Sequence, residues 1–115
     1  MSHPNCVLEL AVFTVKPDAR ERMPALRQQL RAALAEFPGL LDYRGYAPLE
    51  GEEQFVDIAH WRDLASAQAA ADAFANGDAR FAPYAAAIAE LQVMRHLLPA
   101  LGAACAAAAT IASLR

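Results

Sequence analysis

Three residues within apolar stretches of the sequence could perform acid–base chemistry. His60 directly precedes Trp61, and Glu9 lies among leucines and alanine in a stretch that begins at Val7. An imidazole can act as a general base near neutral pH, and a carboxylate in apolar surroundings usually has either a partner or a task. The phenol of Tyr84 could donate a hydrogen bond to a developing oxyanion. We therefore take His60, Glu9 and Tyr84 as candidate catalytic residues.

Each candidate also has a purely structural interpretation. His60 could be an ordinary strand histidine at a sheet edge, and His96 is a second candidate base with the same alternative. Glu9 could form an ion pair with Arg95 on a neighbouring strand, and Asp57 could face the same region. The tyrosines, like Trp61, could simply pack in the core. The sequence leaves these alternatives open.

Hydrophobic periodicity predicts the elements of the first half of the chain. Residues 7–15 form a strand that is apolar on both faces. Asp18 is placed to cap a helix that runs to about Phe37, with Glu21 completing a capping-box-like pair. Pro24 requires either a kink or a start nearer Arg22.

The second half continues the pattern with two strands, a helix and a final strand. Residues 40–48 and 54–62 read as a hairpin, Asp63 caps a helix with an apolar stripe from Leu64 to Phe74, and a helical turn follows at residues 81–84. The last strand covers residues 90–98. The order βαββαβ predicts an α+β, ferredoxin-like sandwich with a four-stranded antiparallel sheet in residues 1–98. Residues 99–115 form an alanine-rich helical tail.

Composition excludes several classes of function. The net charge of −3 argues against nucleic-acid binding. No glycine-rich phosphate loop or Cys/His spacing is present, so we expect neither a nucleotide cofactor nor a metal. The tail is long enough to warrant a membrane check, but alanine drives insertion weakly and Pro99 interrupts it, so we expect it to dock as a helix. With two cysteines and no signal-peptide pattern, we expect a cytoplasmic protein with reduced thiols.

The same pattern predicts a partner. Two helices cover only one face of such a sheet, while the first and last strands are apolar on both faces. A monomer would expose a large apolar patch, which soluble monomers rarely do. We therefore expect a homodimer with the sheets face to face.

Several motifs resemble the antibiotic biosynthesis monooxygenase family of the dimeric α/β-barrel superfamily. The strand end and helix Val-Asp-Ile-Ala-His-Trp-Arg-Asp-Leu-Ala-Ser-Ala at residues 56–67 is similar to the family's tryptophan-bearing strand and alanine-rich helix. Val-Lys-Pro-Asp at residues 15–18 and Phe-Pro-Gly-Leu at residues 37–40 match too. Heme-degrading members of the family use an Asn, a Trp and a His. The corresponding positions of this chain fall near Ala11, Phe74 and Tyr84, so heme degradation is not expected.

The resemblance implies cofactor-free oxygenation of a small aromatic molecule, such as a quinol or polyphenol. That chemistry needs a base for the phenol, a donor for the oxyanion and an apolar cavity. His60, Glu9 and Tyr84 are the candidates for the first two tasks. Trp61, Phe74, Tyr43 and Arg95 are candidate substrate-binding residues. A non-catalytic barrel that binds a hydrophobic small molecule, and an isomerase or lyase on the same scaffold, remain alternatives.

Overall fold

The computed structural model describes residues 6–101. Within them the chain forms four strands, three α-helices and one 3₁₀ helix. In chain order these are β1 (Val7–Val15), a 3₁₀ helix (Pro17–Arg22), α1 (Met23–Ala35), β2 (Leu40–Tyr46), β3 (Phe55–Trp61), α2 (Leu64–Ala75), α3 (Ala82–Ala87) and β4 (Ile88–Leu97).

The four strands form one antiparallel sheet in the order β2-β3-β1-β4. This order, with helices on one face, confirms the predicted ferredoxin-like α+β fold. Because side chains alternate along a strand, the register divides the sheet into two faces. The inner face, under the helices, carries the odd-numbered residues of β1 and β3. The outer face carries the even-numbered ones and has no helix on it among the described residues.

The core lies between the inner face and the helices. Trp61, Phe13 and Phe81 are the largest fully buried side chains. The Phe13 ring stacks on Phe55 with ring centroids 5.9 Å apart and meets Tyr84 edge-on at 6.0 Å. Burying side chains of this size contributes roughly 1.5–3 kcal/mol each, which makes the aromatic cluster a main source of stability.

Two helix starts test the capping predictions. Asp18 lies in the 3₁₀ helix, and no side-chain cap forms there or at the start of α1, so the predicted capping box is wrong. Instead α1 begins at Met23 with Pro24 in its first turn, where a missing N–H costs nothing. The cap of α2 is confirmed, since the Asp63 carboxylate accepts a hydrogen bond from the backbone N–H of Ser66 at 2.8 Å.

The buried side of α2 also differs from the predicted stripe. Ala67 and Ala70 are buried, whereas Leu64 is 45% exposed. Phe74 is half-buried and packs against the core. The helix α2 therefore packs against the sheet through small side chains.

Two expectations concern the chain ends. Cys6 is buried and disulfide-bonded, so the expectation of reduced thiols is wrong for this residue. Cys105 lies outside the described residues, as does most of the predicted helical tail, and the domain boundary at residue 98 stays a prediction. No helix among residues 6–101 is long and apolar enough to cross a membrane.

Candidate functional site

A cavity of about 360 Å³ lies between the inner face of the sheet and the helices. It exists because small side chains face each other across it: Ala11 and Ala59 on the central strands, and Ala70, Ala71 and Ala75 on α2. Aromatic and aliphatic side chains form most of the remaining wall. They are Phe13, Leu30, Leu34, Phe74, Phe81, Ile88, Leu91 and Met94.

Glu9 forms one polar end of the cavity. Its Oε1 accepts a hydrogen bond from Trp61 Nε1 at 3.3 Å, and its Oε2 lies 2.9 Å from His96 Nε2. The β1–β4 register places His96 directly opposite Glu9. The Glu9 side chain is 13% exposed and that of His96 23%. Two neighbours therefore hold the carboxylate in a fixed orientation.

The predicted ion pair between Glu9 and Arg95 is wrong. Arg95 pairs in register with Leu10 and is exposed on the outer face, one residue from the position that reaches Glu9. Because successive side chains point to opposite faces, a shift of one residue exchanges His96 for Arg95. Arg95 therefore does not line the cavity.

Asp57 forms the second polar end. Its Oδ1 accepts hydrogen bonds from Tyr43 Oη and Arg27 Nη2, each at 3.0 Å. Its Oδ2 accepts from Tyr84 Oη at 2.5 Å. Arg27 Nε also approaches Tyr84 Oη at 3.4 Å. Side chains from β2, α1 and α3 thus converge on one carboxylate of β3.

Burial and the Asp57 charge set the ionisation of this cluster. Burial raises the pKa of Asp57, and the hydrogen bond from Tyr84, the charge of Arg27 and the Tyr43 hydroxyl oppose that shift. Burial, followed by the negative charge of Asp57, raises the pKa of both Tyr43 and Tyr84 far above the ordinary value of 10.0. Both phenols therefore stay protonated and keep donating to Asp57.

Arg27 on α1 belongs to this site, although the sequence did not predict it as a site residue. Burial, the largest single influence, lowers the pKa of Arg27, but Tyr84 and Asp57 outweigh it and the net shift is upward. Its Nη2 also donates to the carbonyls of Tyr46 and Val56, at 3.1 and 3.2 Å. The sequence feature that could have indicated the inward position of Arg27 is the glycine at position 45 of β2. A Cβ there would lie 2.7 Å from Arg27 Nε.

The structure separates the predicted site residues into two groups. Glu9, Tyr84, Tyr43 and Phe74 line the cavity. Trp61 is fully buried and supports Glu9 without lining the cavity.

His60 belongs to the other face. It lies between Leu8 and Asp42 on the outer side of the sheet and does not border the cavity. Its Nδ1 is buried and has no hydrogen-bond partner among residues 6–101.

Metal binding finds no support in the part of the chain that the structure describes. Residues 6–101 contain no group of three or more His, Cys, Asp or Glu side chains arranged to hold an ion.

The fold and the cavity define the class of protein: a ferredoxin-like α+β domain with an apolar, carboxylate-bearing pocket under its helices. The antibiotic biosynthesis monooxygenase family model matches residues 7–80, which is more than half of the chain. The chain therefore belongs to the antibiotic biosynthesis monooxygenase family. A search of curated proteins finds no match.

Solved structures agree on the fold. A candidate antibiotic biosynthesis monooxygenase from Bordetella bronchiseptica has a TM-score of 0.71 and 15% identity, covering 84% of this chain and 99% of that one. SnoaB, a cofactor-independent oxygenase from Streptomyces nogalater, has a TM-score of 0.62 and 23% identity, covering 86% and 96%. A conserved protein from Methanosarcina mazei has a TM-score of 0.64 and 19% identity, covering 84% and 95%. At these identities the likeness establishes the fold alone.

The raised pKa values of Tyr43 and Tyr84 predict a pH dependence of stability. The unfolded chain ionises these phenols near pH 10.0 and the folded chain only at higher pH. Their contribution is therefore complete below pH 10 and is lost as the pH rises above it, by about 1.4 kcal/mol per pH unit for each phenol. Urea unfolding of the wild type at pH 9 and pH 11 should show this loss, and Tyr84→Phe should reduce it. The exposed Tyr46→Phe is the control, and equal pH dependence of wild type and Tyr84→Phe would contradict the assignment.

Gly45 is expected to be required for the position of Arg27. Gly45→Ala should lower the free energy of unfolding by roughly 1–3 kcal/mol, because the new methyl group overlaps the guanidinium. In an Arg27→Ala background the same change should cost much less. Denaturant unfolding of the wild type, both single variants and the double variant measures this coupling. Additive effects would show that the overlap is not the cause.

Proposed function

We propose that the chain is a cofactor-independent monooxygenase that oxidises a small phenolic aromatic molecule, such as a quinol or polyphenol, in the cavity. One observation carries this proposal: a carboxylate, Glu9, is held in a fixed orientation at the wall of a largely apolar cavity. An apolar wall accommodates an aromatic ring and keeps water from a reactive intermediate. Family membership and the likeness to the oxygenase SnoaB support the same reaction class.

Glu9 is the proposed base. It takes the phenolic proton, and the resulting phenolate transfers one electron to O₂. Superoxide and the resulting aryloxyl radical combine at a ring carbon to give a peroxide, which receives a proton from Glu9. Loss of the ring C–H proton and cleavage of the O–O bond then leave a quinone carbonyl and water. One phenol and one O₂ give one quinone and one water, so no external reductant is needed.

The tyrosines play a different part from the one expected from the sequence. The hydroxyl hydrogens of Tyr43 and Tyr84 are donated to Asp57. The protonated Glu9 is then the group that donates back to the substrate oxyanion. Tyr84 Oη has a lone pair for a second substrate hydroxyl and holds the far end of the ring.

Oxygen consumption with a panel of reduced quinones and anthrones, without added cofactor, tests this proposal. Glu9→Gln should lower kcat about 100-fold or more, because an amide cannot accept the proton. Glu90→Gln makes the same chemical change at an exposed position of β4 and serves as the control. His60→Ala separates the two candidate bases, because His60 lies on the other face and its loss should leave turnover intact. Full activity in Glu9→Gln would overturn the assignment of Glu9.

A non-catalytic binding role is the second candidate. It is favoured by the commitment of both tyrosine hydroxyls to Asp57, which leaves the cavity without a free side-chain donor for an oxyanion among the described residues. Saturable binding of aromatic molecules without oxygen consumption would support this role over the oxygenase.

We also propose that two copies pair through the outer face of the sheet. Its two central strands present one continuous apolar surface: Leu8, Leu10, Val12, Val56 and Ile58. On the β4 edge, Leu97 on the same face is 43% exposed.

Leu10→Asp tests this pairing, because it places a charge at the centre of the proposed dry interface. Sedimentation at micromolar concentration should show a dimer for the wild type and a monomer or unfolded chain for the variant. Leu49→Asp is the matched control, since Leu49 is 81% exposed in the β2–β3 connection. A stable wild-type monomer, or a normal dimer of Leu10→Asp, would contradict the proposal.

A further inference from the structure

Five polar side chains line the cavity: Glu9, Tyr43, Asp57, Asp72 and Tyr84. Three of them are carboxylates, which carry acceptor oxygens and no hydrogen when ionised. The other two are phenols, and each has one hydrogen to donate. The cavity can therefore donate a side-chain hydrogen bond to a ligand only through the phenols or through a group behind the wall.

The phenol hydrogens are already committed. Tyr43 Oη donates to Asp57 Oδ1 and Tyr84 Oη to Asp57 Oδ2. Behind the wall, Trp61 Nε1 donates to Glu9 and the Arg27 guanidinium donates to Asp57, Tyr84 and two backbone carbonyls. Within the described residues, every polar side chain that faces the cavity thus meets a ligand as an acceptor.

The acceptors stand at two separate ends. Each carboxylate oxygen of Glu9 has one hydrogen-bonding neighbour, Trp61 Nε1 or His96 Nε2, and keeps a lone pair. Tyr84 Oη is approached by Arg27 Nε at 3.4 Å and keeps a lone pair as well. The strand register places Asp57 opposite Ala11, two positions along β1 from Glu9. Two residues of a strand span about 7 Å along the backbone, which is comparable to the length of a single aromatic ring with a hydroxyl at each end.

We infer that the cavity selects by hydrogen-bond polarity: it binds the reduced, dihydroxy form of an aromatic molecule and rejects the corresponding quinone. A hydroxyl at each end satisfies Glu9 and Tyr84. A quinone carbonyl in the same place would bring its oxygen lone pairs against the lone pairs of Glu9 or Tyr84. These acceptors would then be left without a donor in the bound complex, which lowers the affinity for the quinone. The substrate class rests on the proposed function, and the selectivity adds a reason for product release, because oxidation converts the hydroxyl at Glu9 to a carbonyl and so removes one of the two donors that hold the ring.

The test is equilibrium binding without O₂, so that no turnover occurs. Three ligands share one ring system: 1,4-dihydroxynaphthalene with two donors, 1,4-naphthoquinone with none, and 1,4-dimethoxynaphthalene as a second ligand without donors. Calorimetry should give an affinity for the dihydroxy compound that is about tenfold or more above both others. Equal affinities for the dihydroxy compound and the quinone overturn the inference, as does the absence of binding by all three.

Glu9→Gln provides the sharper comparison, because the amide brings two N–H donors to the same place. Affinity for the quinone should rise and affinity for the dihydroxy compound should fall, so that the preference narrows or reverses. Tyr84→Phe removes the Tyr84 oxygen, which is the proposed acceptor at the far end of the ring, so it should weaken binding of the dihydroxy compound more than binding of the quinone. Glu90→Gln should keep the wild-type preference. An unchanged preference in Glu9→Gln would show that Glu9 does not set it.

Binding and turnover separate this inference from the proposed function. A donor preference without oxygen consumption supports the selectivity and overturns the oxygenase. Oxygen consumption with equal binding of both forms supports the oxygenase and overturns the selectivity.

Discussion

The burial of Asp57 is the constraint on which much of this structure depends. A carboxylate on the inner face of the sheet must be compensated, and the compensation for Asp57 on β3 comes from three elements: Arg27 from α1, Tyr43 from β2 and Tyr84 from α3. Removing one partner of such a buried pair typically costs about 3–5 kcal/mol, because the other charge is left unpaired. The cluster therefore ties both layers of the domain together. It also requires a strand residue without a side chain at Gly45, where Arg27 crosses β2.

The cavity follows from that anchoring. Once Arg27 and the tyrosines hold α1 and α3 against the sheet, the volume between them is set by the side chains that remain, and these are small where Ala11 and Ala59 face the alanines of α2. A well-packed interior would fill such a space, since interiors approach the density of organic crystals. An unfilled space with a fixed carboxylate at each end is better explained by a ligand than by stability. Two carboxylates with different partners thus line one cavity: Asp57 accepts hydrogen bonds from three side chains, whereas Glu9 contacts only Trp61 and His96.

Periodicity was sufficient to predict the fold but not the register. The order of strands and helices follows from alternating and helical apolar patterns, and the Asp63 cap follows from one side chain. The pairing of Glu9 with His96 instead of Arg95 depends on which residue of β4 lies opposite β1, and a bulged pairing between these strands shifts that register. Local sequence does not encode it. Arg27 was missed for a related reason: a long side chain on the polar flank of a helix can turn inward when a carboxylate and a glycine make room for it.

The alternation of side chains along each strand also gives the two faces of the sheet different surroundings. Trp61 and His60 are neighbours in sequence, yet one supports Glu9 under the helices and the other lies on the open face between Leu8 and Asp42. His60 was predicted as a site residue partly because it is next to Trp61 in the sequence. Successive side chains of a strand point to opposite faces, so His60 does not border the cavity. The inner, odd-numbered residues of β1 and β3 therefore include those that line the cavity: Glu9, Ala11, Phe13, Asp57 and Ala59. The outer, even-numbered ones form an apolar surface, and His60 Nδ1 is buried beside it without a hydrogen-bond partner among residues 6–101. A single strand can contribute to the cavity and to the outer surface at once, because each of its side chains lies on only one face of the sheet.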